Sequence, residues 1–306
     1  MQVHSDFSAF HSVKNPIVTI GTFDGVHLGH RTILQRITEL ANEKNGESVV
    51  LTFTPHPRTV LFPEDHGITL LSDLKEKRKL LSECGIDHLI EFPFTLEFAR
   101  KSAFEYVRDL LVVGMHAHTV VIGYDHRFGR GREGNYDTLL ELADTFQFAV
   151  EEIPVRLIDE SEISSTKIRS AIQEGDFDYA NAALGGLYAL HGEVVTGEQK
   201  GRTIGFPTAN IKISDPLKLI PSNGVYQVRV CVEGKEYKGA MNIGVRPTVS
   251  QEAVRSLEVH IIEFDEDIYG KEMEVKFLGK IRDEHKFESF DALKEQIARD
   301  VQEASK

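Results

Sequence analysis

The chain has 306 residues, 41% of them hydrophobic and 27% charged, with a formal net charge of −13. That length accommodates two domains with separate cores, and the acidic balance argues against a general nucleic-acid binder, which would carry a basic footprint. Cys84 and Cys231 form neither a disulfide framework nor a metal spacing, no apolar run approaches the ~18 residues of a membrane span, and no stretch resembles a signal peptide, so a cytoplasmic protein is expected.

Residues 17–20 form a short β-branched run that stops at Gly21, after which Ile33, Leu34, Ile37, Leu40 and Ala41 recur at helical spacing. The stretch Gly21-Thr22-Phe23-Asp24-Gly25-Val26-His27-Leu28-Gly29-His30 therefore joins the carboxyl end of a strand to the amino end of a helix. Unpaired N–H groups and the helix dipole suit that place to a phosphate, and glycines let the backbone approach an anion closely. His27 and His30, three apart, can both face one bound group as donors to a pyrophosphate whose charge grows during reaction. A tight turn with two surface histidines accounts for the same spacing, whereas a structural zinc site needs more ligands than this stretch offers.

Strand-like runs at 48–54, 88–92, 119–123 and 148–155 alternate with helical patterns at 74–84, 103–113 and 136–146, the signature of a parallel sheet wrapped by helices. Ligands in such sheets collect beyond the carboxyl ends of the strands, which draws attention to three stretches. Thr54-Pro55-His56-Pro57-Arg58 is a proline-fixed turn around a histidine, and by itself reads as a rigid surface turn. Residues 123–132 combine three glycines, three arginines and Asp125, enough to hold phosphate or a phosphate-bound cation, although such loops are often plain surface. Ile163-Ser164-Ser165-Thr166-Lys167-Ile168-Arg169 reads as a capped helix start whose cations are unfavourable there unless an anion is also present.

The rhythm changes at Gly185-Gly186, and the expected domains are 1–185 and 186–306. Short strand-like runs follow at 189–196, 225–232, 237–242, 257–264 and 273–278, with a hairpin turn expected at Gly234-Lys235, which favours an antiparallel barrel or sandwich. A closing helix carries an apolar stripe of Leu293, Ile297 and Val301, read as core contact, with Ser289 as its cap. Residues 197–210 lack the P-loop spacing, yet Gly197, Lys200, Gly201, Arg202 and Gly205 could cradle phosphates, and Thr208 and Asn210 offer hard oxygen ligands for Mg²⁺. Alternation puts Leu257, Val259 and Ile261 on one face of a strand and Glu258 and His260 on the other, where Glu258 is most simply a solvated side chain.

Taken together, GTFDGVHLGH, TPHPR, GYDHRFGRG and ISSTKIR resemble the adenylyltransferase module of the bacterial bifunctional riboflavin kinase/FMN adenylyltransferase (FAD synthetase) family, and GRTIGFPTANI, GVYQV, NIGVRPT, LEVHIIEF, IYGK and IRDEHKF its riboflavin kinase module. The resemblance runs nearly the whole length and keeps the motifs in order. It implies an α/β Rossmann-like nucleotidyltransferase domain followed by a six-stranded antiparallel β-barrel with a C-terminal helix. It also implies two ATP-dependent reactions with Mg²⁺, riboflavin to FMN and FMN to FAD.

Carried onto this sequence, the resemblance makes His27 and His30 catalytic toward the ATP phosphates, with Gly21, Phe23, Asp24, Gly25, Gly29, Ser164, Ser165, Thr166 and Arg169 around the nucleotide. His56, Pro57 and Arg58 would meet flavin in the first domain, and Arg282 and Phe287 in the second. Asp125, Thr208 and Asn210 would serve the metal, Gly197, Lys200, Gly201, Arg202 and Gly205 the kinase's ATP, and Glu258 would be the base. His126 stands where the family usually has phenylalanine, and Gly186-Leu187 where it commonly has Arg-Pro. A monomer or weak homo-oligomer without nucleic-acid or membrane partners is expected. Two other readings stand beside this one. A flavin-binding regulator without turnover would not need His30 and Glu258, and a cytidylyltransferase with an appended barrel would not explain GFPTAN with NIGVRPT.

Overall fold

The computed structural model describes residues 1–8, 10–64, 67–124, 126–153, 163–197, 201, 205–246 and 254–306. The chain divides into two compact units, Met1–Ser165 and Thr166–Lys306.

In the first unit the alternation of strand and helix resolves into β1 (Gln2–His4), β2 (Ile17–Ile20), α1 (Leu28–Glu43), β3 (Ser48–Thr54), α2 (Pro57–Leu61), α3 (Leu74–Glu83), β4 (His88–Pro93), α4 (Ala103–Tyr106), β5 (Thr119–Gly123), α5 (Tyr136–Phe146) and β6 (Ala149–Ile153). The strands form a parallel sheet in the order β1-β4-β3-β2-β5-β6. All four residues of β2 are buried, as expected for an inner parallel strand covered on both faces. Alternate residues feed two cores: Val18, Ile20, Val49 and Leu51 join one with Leu110 and Phe128, while Ile17, Val50 and Leu89 join the other with Leu34, Ile37 and Leu81. From β2 the chain steps outward through β3 to β4, then returns to β5 on the other side. The crevice beyond β2 is therefore the switch point at which such sheets bind ligands.

The helix expected over 103–113 is two structures in series. A Ser102–Glu105 capping box starts α4, and a π-helix then runs from Val107 to Gly114. The wider turn carries Gly114 against Phe7, where an added Cβ would lie 2.9 Å from the ring. Nothing in a 3.6-residue pattern announces that switch.

The second unit begins with α6 (Ser165–Glu174), whose first residue belongs to the first unit, and α7 (Phe177–Leu184). The barrel follows: β7 (Ala189–Val195), β8 (Ala209–Lys212), β9 (Gly224–Val232), β10 (Lys235–Arg246), β11 (Val254–Ile261) and β12 (Glu272–Arg282). These close in the order β10-β11-β8-β7-β12-β9, with antiparallel neighbours throughout. Strand β8 is only four residues long and begins at the very end of the Gly-rich stretch, where no alternating run betrays it. The β9–β10 turn is Glu233-Gly234, both at positive φ, and not Gly234-Lys235: Lys235 already pairs with Val232. Phe177 of α7 stacks on Phe277 of β12 at 5.1 Å, with Tyr226 edge-on to both, so α7 packs with the barrel, ahead of the pattern change at Gly185-Gly186.

The closing helix α8 (Phe290–Ala304) is capped by Ser289 as expected. Its apolar stripe is only half-buried, and the buried residues are Asp300 and Ala304. The helix is anchored by a charge pair described below as well as by its apolar face.

Candidate functional site

At the carboxyl end of β2 the turn is conformationally costly. Phe23, Gly25 and Val26 all have positive φ, and for the β-branched Val26, at +42°, that is an unusual backbone state. Polar contacts hold it in place. Asp24 is buried, and its Oδ1 accepts the Leu71 and Ser72 N–H groups at 2.8 and 3.2 Å. The Gly25 N–H donates to Ser72 Oγ at 3.0 Å, and Lys77 Nζ donates to the Thr22 carbonyl at 2.7 Å. Ser165 Oγ donates to the Asp24 carbonyl at 3.1 Å, which brings the start of α6 to this turn.

His27 is the N-cap of α1, its Nδ1 accepting the His30 N–H at 3.3 Å. An acceptor Nδ1 on a neutral ring puts the proton on Nε2, leaving an N–H donor on that edge. The His27 and His30 rings stack at 3.7 Å, with Phe23 edge-on to His30. His30 Nδ1 is fully shielded and, among the described residues, has no hydrogen-bond partner. Burial first, then the neighbouring His27 and Lys77, push the His30 pKa well below the ordinary histidine value. His30 is thereby kept proton-poor, and the stacked rings can turn N–H groups toward an anion.

Beside this turn opens a cavity of about 930 Å³. Gly21 and Thr22 form one side, Phe53, Phe98, Tyr106 and Phe128 give aromatic walls, and His56, Pro57, Arg58, His126, Arg127 and Arg132 also line it. His56 caps α2, with Pro57 at the first helical position. Three motifs that were separate in sequence thus converge at one sheet end. Tyr106 gave no sequence signal, being one more apolar-looking position in a helical pattern. It is buried against Phe128 at 5.1 Å, and burial pushes its phenol pKa up, so it stays a donor at neutral pH. Asp125 lies outside the described residues; Thr166 and Arg169 lie in the first turns of α6.

The barrel assembles its candidates on the side of a sheet. Register places Asn242 of β10, Glu258 of β11 and Asn210 of β8 in one row. Ser256 Oγ donates to Glu258 Oε1 at 2.7 Å, and Thr208 Oγ1 makes a long hydrogen bond to Oε2 at 3.4 Å. Both carboxylate oxygens are therefore held, which a merely solvated glutamate would not require. His260 Nδ1 bonds to the Pro207 carbonyl at 2.8 Å and fixes the segment that presents Thr208. Gly197 and Gly201 allow close approach: a Cβ would come within 2.1 Å of Asn210 Nδ2 and 2.3 Å of the Phe206 carbonyl respectively. Lys200 and Arg202 lie outside the described residues; Gly205 holds φ +87°. A cavity of about 310 Å³ adjoins Thr208, walled by Pro207, Val259, Ile261, Phe264 and Tyr269, with Asp265, Glu266 and Asp267 also lining it.

Arg282 and Phe287 are brought together, the guanidinium carbon 5.6 Å above the ring centre. The guanidinium fork itself grips the buried Asp300 of α8, at 3.1 Å from Nε and 2.8 Å from Nη2. Gln296 adds a bond to the same carboxylate at 2.8 Å. Glu284, two residues beyond Arg282, lies against Gly244, where a Cβ would meet its Oε1 at 2.5 Å, next but one to Asn242 in the row that includes Glu258. Among the described residues no group of three or more His, Cys, Asp or Glu side chains could hold a metal, so the zinc alternative gains no ligand set.

The FAD synthetase family model matches residues 10–167, and the riboflavin kinase model matches residues 184–306. A bifunctional riboflavin kinase/FMN adenylyltransferase of Listeria monocytogenes is 37% identical, over 94% of this chain and 91% of that one. The Escherichia coli protein of the same description is 40% identical, over 93% and 90%. A solved Streptococcus pneumoniae structure described as a macrolide-efflux protein is 30% identical with a TM-score of 0.89, covering 99% of this chain and 98% of that one. Among the described residues no helix is long and apolar enough to cross a membrane.

Proposed function

The chain belongs to the family of bifunctional riboflavin kinase/FMN adenylyltransferases, and on that premise we propose how its residues divide the two reactions. The enzyme phosphorylates riboflavin with ATP to FMN, then adenylylates FMN with ATP to give FAD and pyrophosphate.

Adenylyl transfer belongs to the first unit. The supporting observation is that the turn carrying the shielded, unpartnered His30 Nδ1 also borders the aromatic 930 Å³ cavity. The isoalloxazine would lie among Phe53, Phe98, Tyr106 and Phe128, with Tyr106 donating to a ring heteroatom and the arginines meeting the FMN phosphate. An FMN phosphate oxygen attacks the α-phosphorus of ATP, and the bond to the bridging oxygen breaks as pyrophosphate leaves. His27 Nε2–H, His30 and the first N–H groups of α1 would take up the charge growing on that pyrophosphate. No protein nucleophile is required; positioning and charge stabilisation suffice.

Phosphoryl transfer belongs to the barrel. Glu258 would accept the proton of the riboflavin 5′-hydroxyl as the γ-phosphoryl group moves to that oxygen and ADP leaves. The Ser256 and Thr208 contacts fix which carboxylate edge faces the hydroxyl. The 310 Å³ cavity would take the adenosine end of ATP, because its acidic members repel phosphate toward Gly197 and Gly201. The oxygen donors Thr208 and Asn210 fit Mg²⁺, which takes few protein ligands and would supply charge neutralisation on the phosphates. Arg282 and Phe287 would adjoin the flavin. The acidic net charge and the unpaired Cys84 and Cys231 support a cytoplasmic protein, monomeric or weakly associated, without nucleic acid.

A fragment of residues 166–306 tests this division. It keeps the Phe177–Phe277 stack that a fragment from 186 would lose. Incubated with riboflavin, ATP and Mg²⁺, it should yield FMN and, given FMN, no FAD. FAD formation by this fragment, or a folded fragment without kinase activity, would break the assignment.

A further inference from the structure

Lys77 gave no signal in the sequence, yet it is 8% exposed in the interior of α3. Removing an ammonium from water is costly unless its charge and donors are matched. Here the match is partial. Of its three N–H donors, one hydrogen bond is described, to the Thr22 carbonyl at 2.7 Å. Among the described residues Lys77 has no carboxylate within ion-pair distance; Asp24 and Glu91 attract it only from farther away. Asp24 has one carboxylate oxygen committed to the Leu71 and Ser72 N–H groups. Among the described residues, the buried cation therefore sits behind the turn with positive charge and donors to spare.

That turn shows a second gap of the same kind, the shielded His30 Nδ1, which has no partner among the described residues. Lys77 also reaches His30 electrostatically. A positive charge and an unfilled nitrogen around one Gly-rich turn at a helix N-terminus are complementary to a polyanion and to little else. The strained backbone of Phe23, Gly25 and Val26 supplies the mechanical half of the case. Lys77 grips the turn at Thr22, immediately before those residues, while Ser72 grips it at Gly25.

We propose that Lys77 is a positioning residue of the adenylyltransferase site, which holds the Thr22 carbonyl so that His27 and His30 are presented correctly and sets a buried countercharge behind the triphosphate. The inference rests on the assignment of adenylyl transfer to this turn. The countercharge separates this role from a grip on Thr22 alone, because loss of the grip alone would act on FMN and ATP alike, whereas loss of the charge acts on the polyanion.

The test compares Lys77→Met and Lys77→Arg in the full-length enzyme, with the circular dichroism spectrum and thermal melt as the control for folding of the first unit. For Lys77→Met, kcat/KM for ATP in FAD formation should fall roughly 10- to 100-fold, the scale of one charge-assisted contact. The inhibition constant of inorganic pyrophosphate should rise by a similar factor, while the KM for FMN stays within about twofold. Lys77→Arg keeps the charge and should recover most of the pyrophosphate affinity. Parent-like pyrophosphate inhibition in Lys77→Met, or equal losses toward FMN and pyrophosphate, overturns the proposal. Should Lys77→Met fail to fold, Lys77→Arg decides: parent-like pyrophosphate inhibition supports the countercharge, and a rise equal to the change in FMN KM overturns it. His30→Ala separates the levels. If it lowers FAD formation while Lys77→Met leaves kcat/KM for ATP and pyrophosphate inhibition at their parent values, only this inference falls; if neither substitution changes FAD formation, the site itself has been misplaced.

Discussion

On the proposed assignment of residues, the two units build phosphate chemistry in opposite ways. The first places it on a strained turn at the end of an open parallel sheet, where buried polar groups are left partly unmatched. The second places it on the regular outer wall of a closed barrel, where Glu258 is half-buried and both its oxygens are held. The difference follows the chemistry. A departing pyrophosphate needs donors converging from several directions, which a turn at a helix start supplies. A hydroxyl needs one carboxylate held at one orientation, which a strand supplies at no cost in backbone strain.

The sharpest way to separate them is Glu258→Gln, which keeps the shape and one accepting oxygen but replaces the other with an amide donor and removes the basic oxygen. Riboflavin kinase turnover should fall roughly 10²- to 10⁴-fold. Riboflavin affinity and FAD formation from supplied FMN should change little. Unchanged kinase turnover would return Glu258 to a solvated face.

His30→Ala is the converse. FAD formation from FMN should drop by roughly 10²- to 10³-fold, as when an oxyanion donor is lost, while FMN formation from riboflavin continues. An unaltered FAD rate would remove the histidine pair from the chemistry.

What was legible in the sequence follows the same division. The turn from Gly21 to His30 was visible because glycines and histidines at fixed spacing sit where a strand pattern becomes a helical one. Glu258 was visible only as an outward position, since alternation gives the face but not what holds the carboxylate; Ser256 and Thr208 come from two different segments. Lys77 and Tyr106 were illegible. Each sits in a helical run, and only tertiary packing sets one behind a turn and the other on a cavity wall. Strand β8 was missed because four residues at the end of a Gly-rich stretch are too few to show a period, and the π-helix because its first turn reads as an ordinary helix.

The smallest contrast is thermodynamic. His30 has a folded pKa well below its unfolded value near 6.5, so below that pH the unfolded chain binds more protons than the native one. The stability this group contributes is therefore full above about pH 6.5 and is lost as pH falls toward its folded pKa, with a limiting slope of about 1.4 kcal/mol per pH unit. His4, likewise lowered by burial, acts in the same direction. Thermal melts between roughly pH 7.5 and 5.5 should show the decline, and His30→Gln should flatten it. An identical slope in the variant would place the acid sensitivity elsewhere.

The shielded His30 Nδ1 has one more consequence, for the medium around the enzyme. A ring kept proton-poor by burial becomes a favourable place for a hydrogen ion once a polyanion lies beside it. With the nucleotide placed there as proposed, nucleotide and hydrogen ion would be co-ligands, each tightening the hold on the other by the same factor. Below neutrality, the heat of ATP binding would vary with the ionisation enthalpy of the buffer, and the apparent affinity would follow the acidity of the solution.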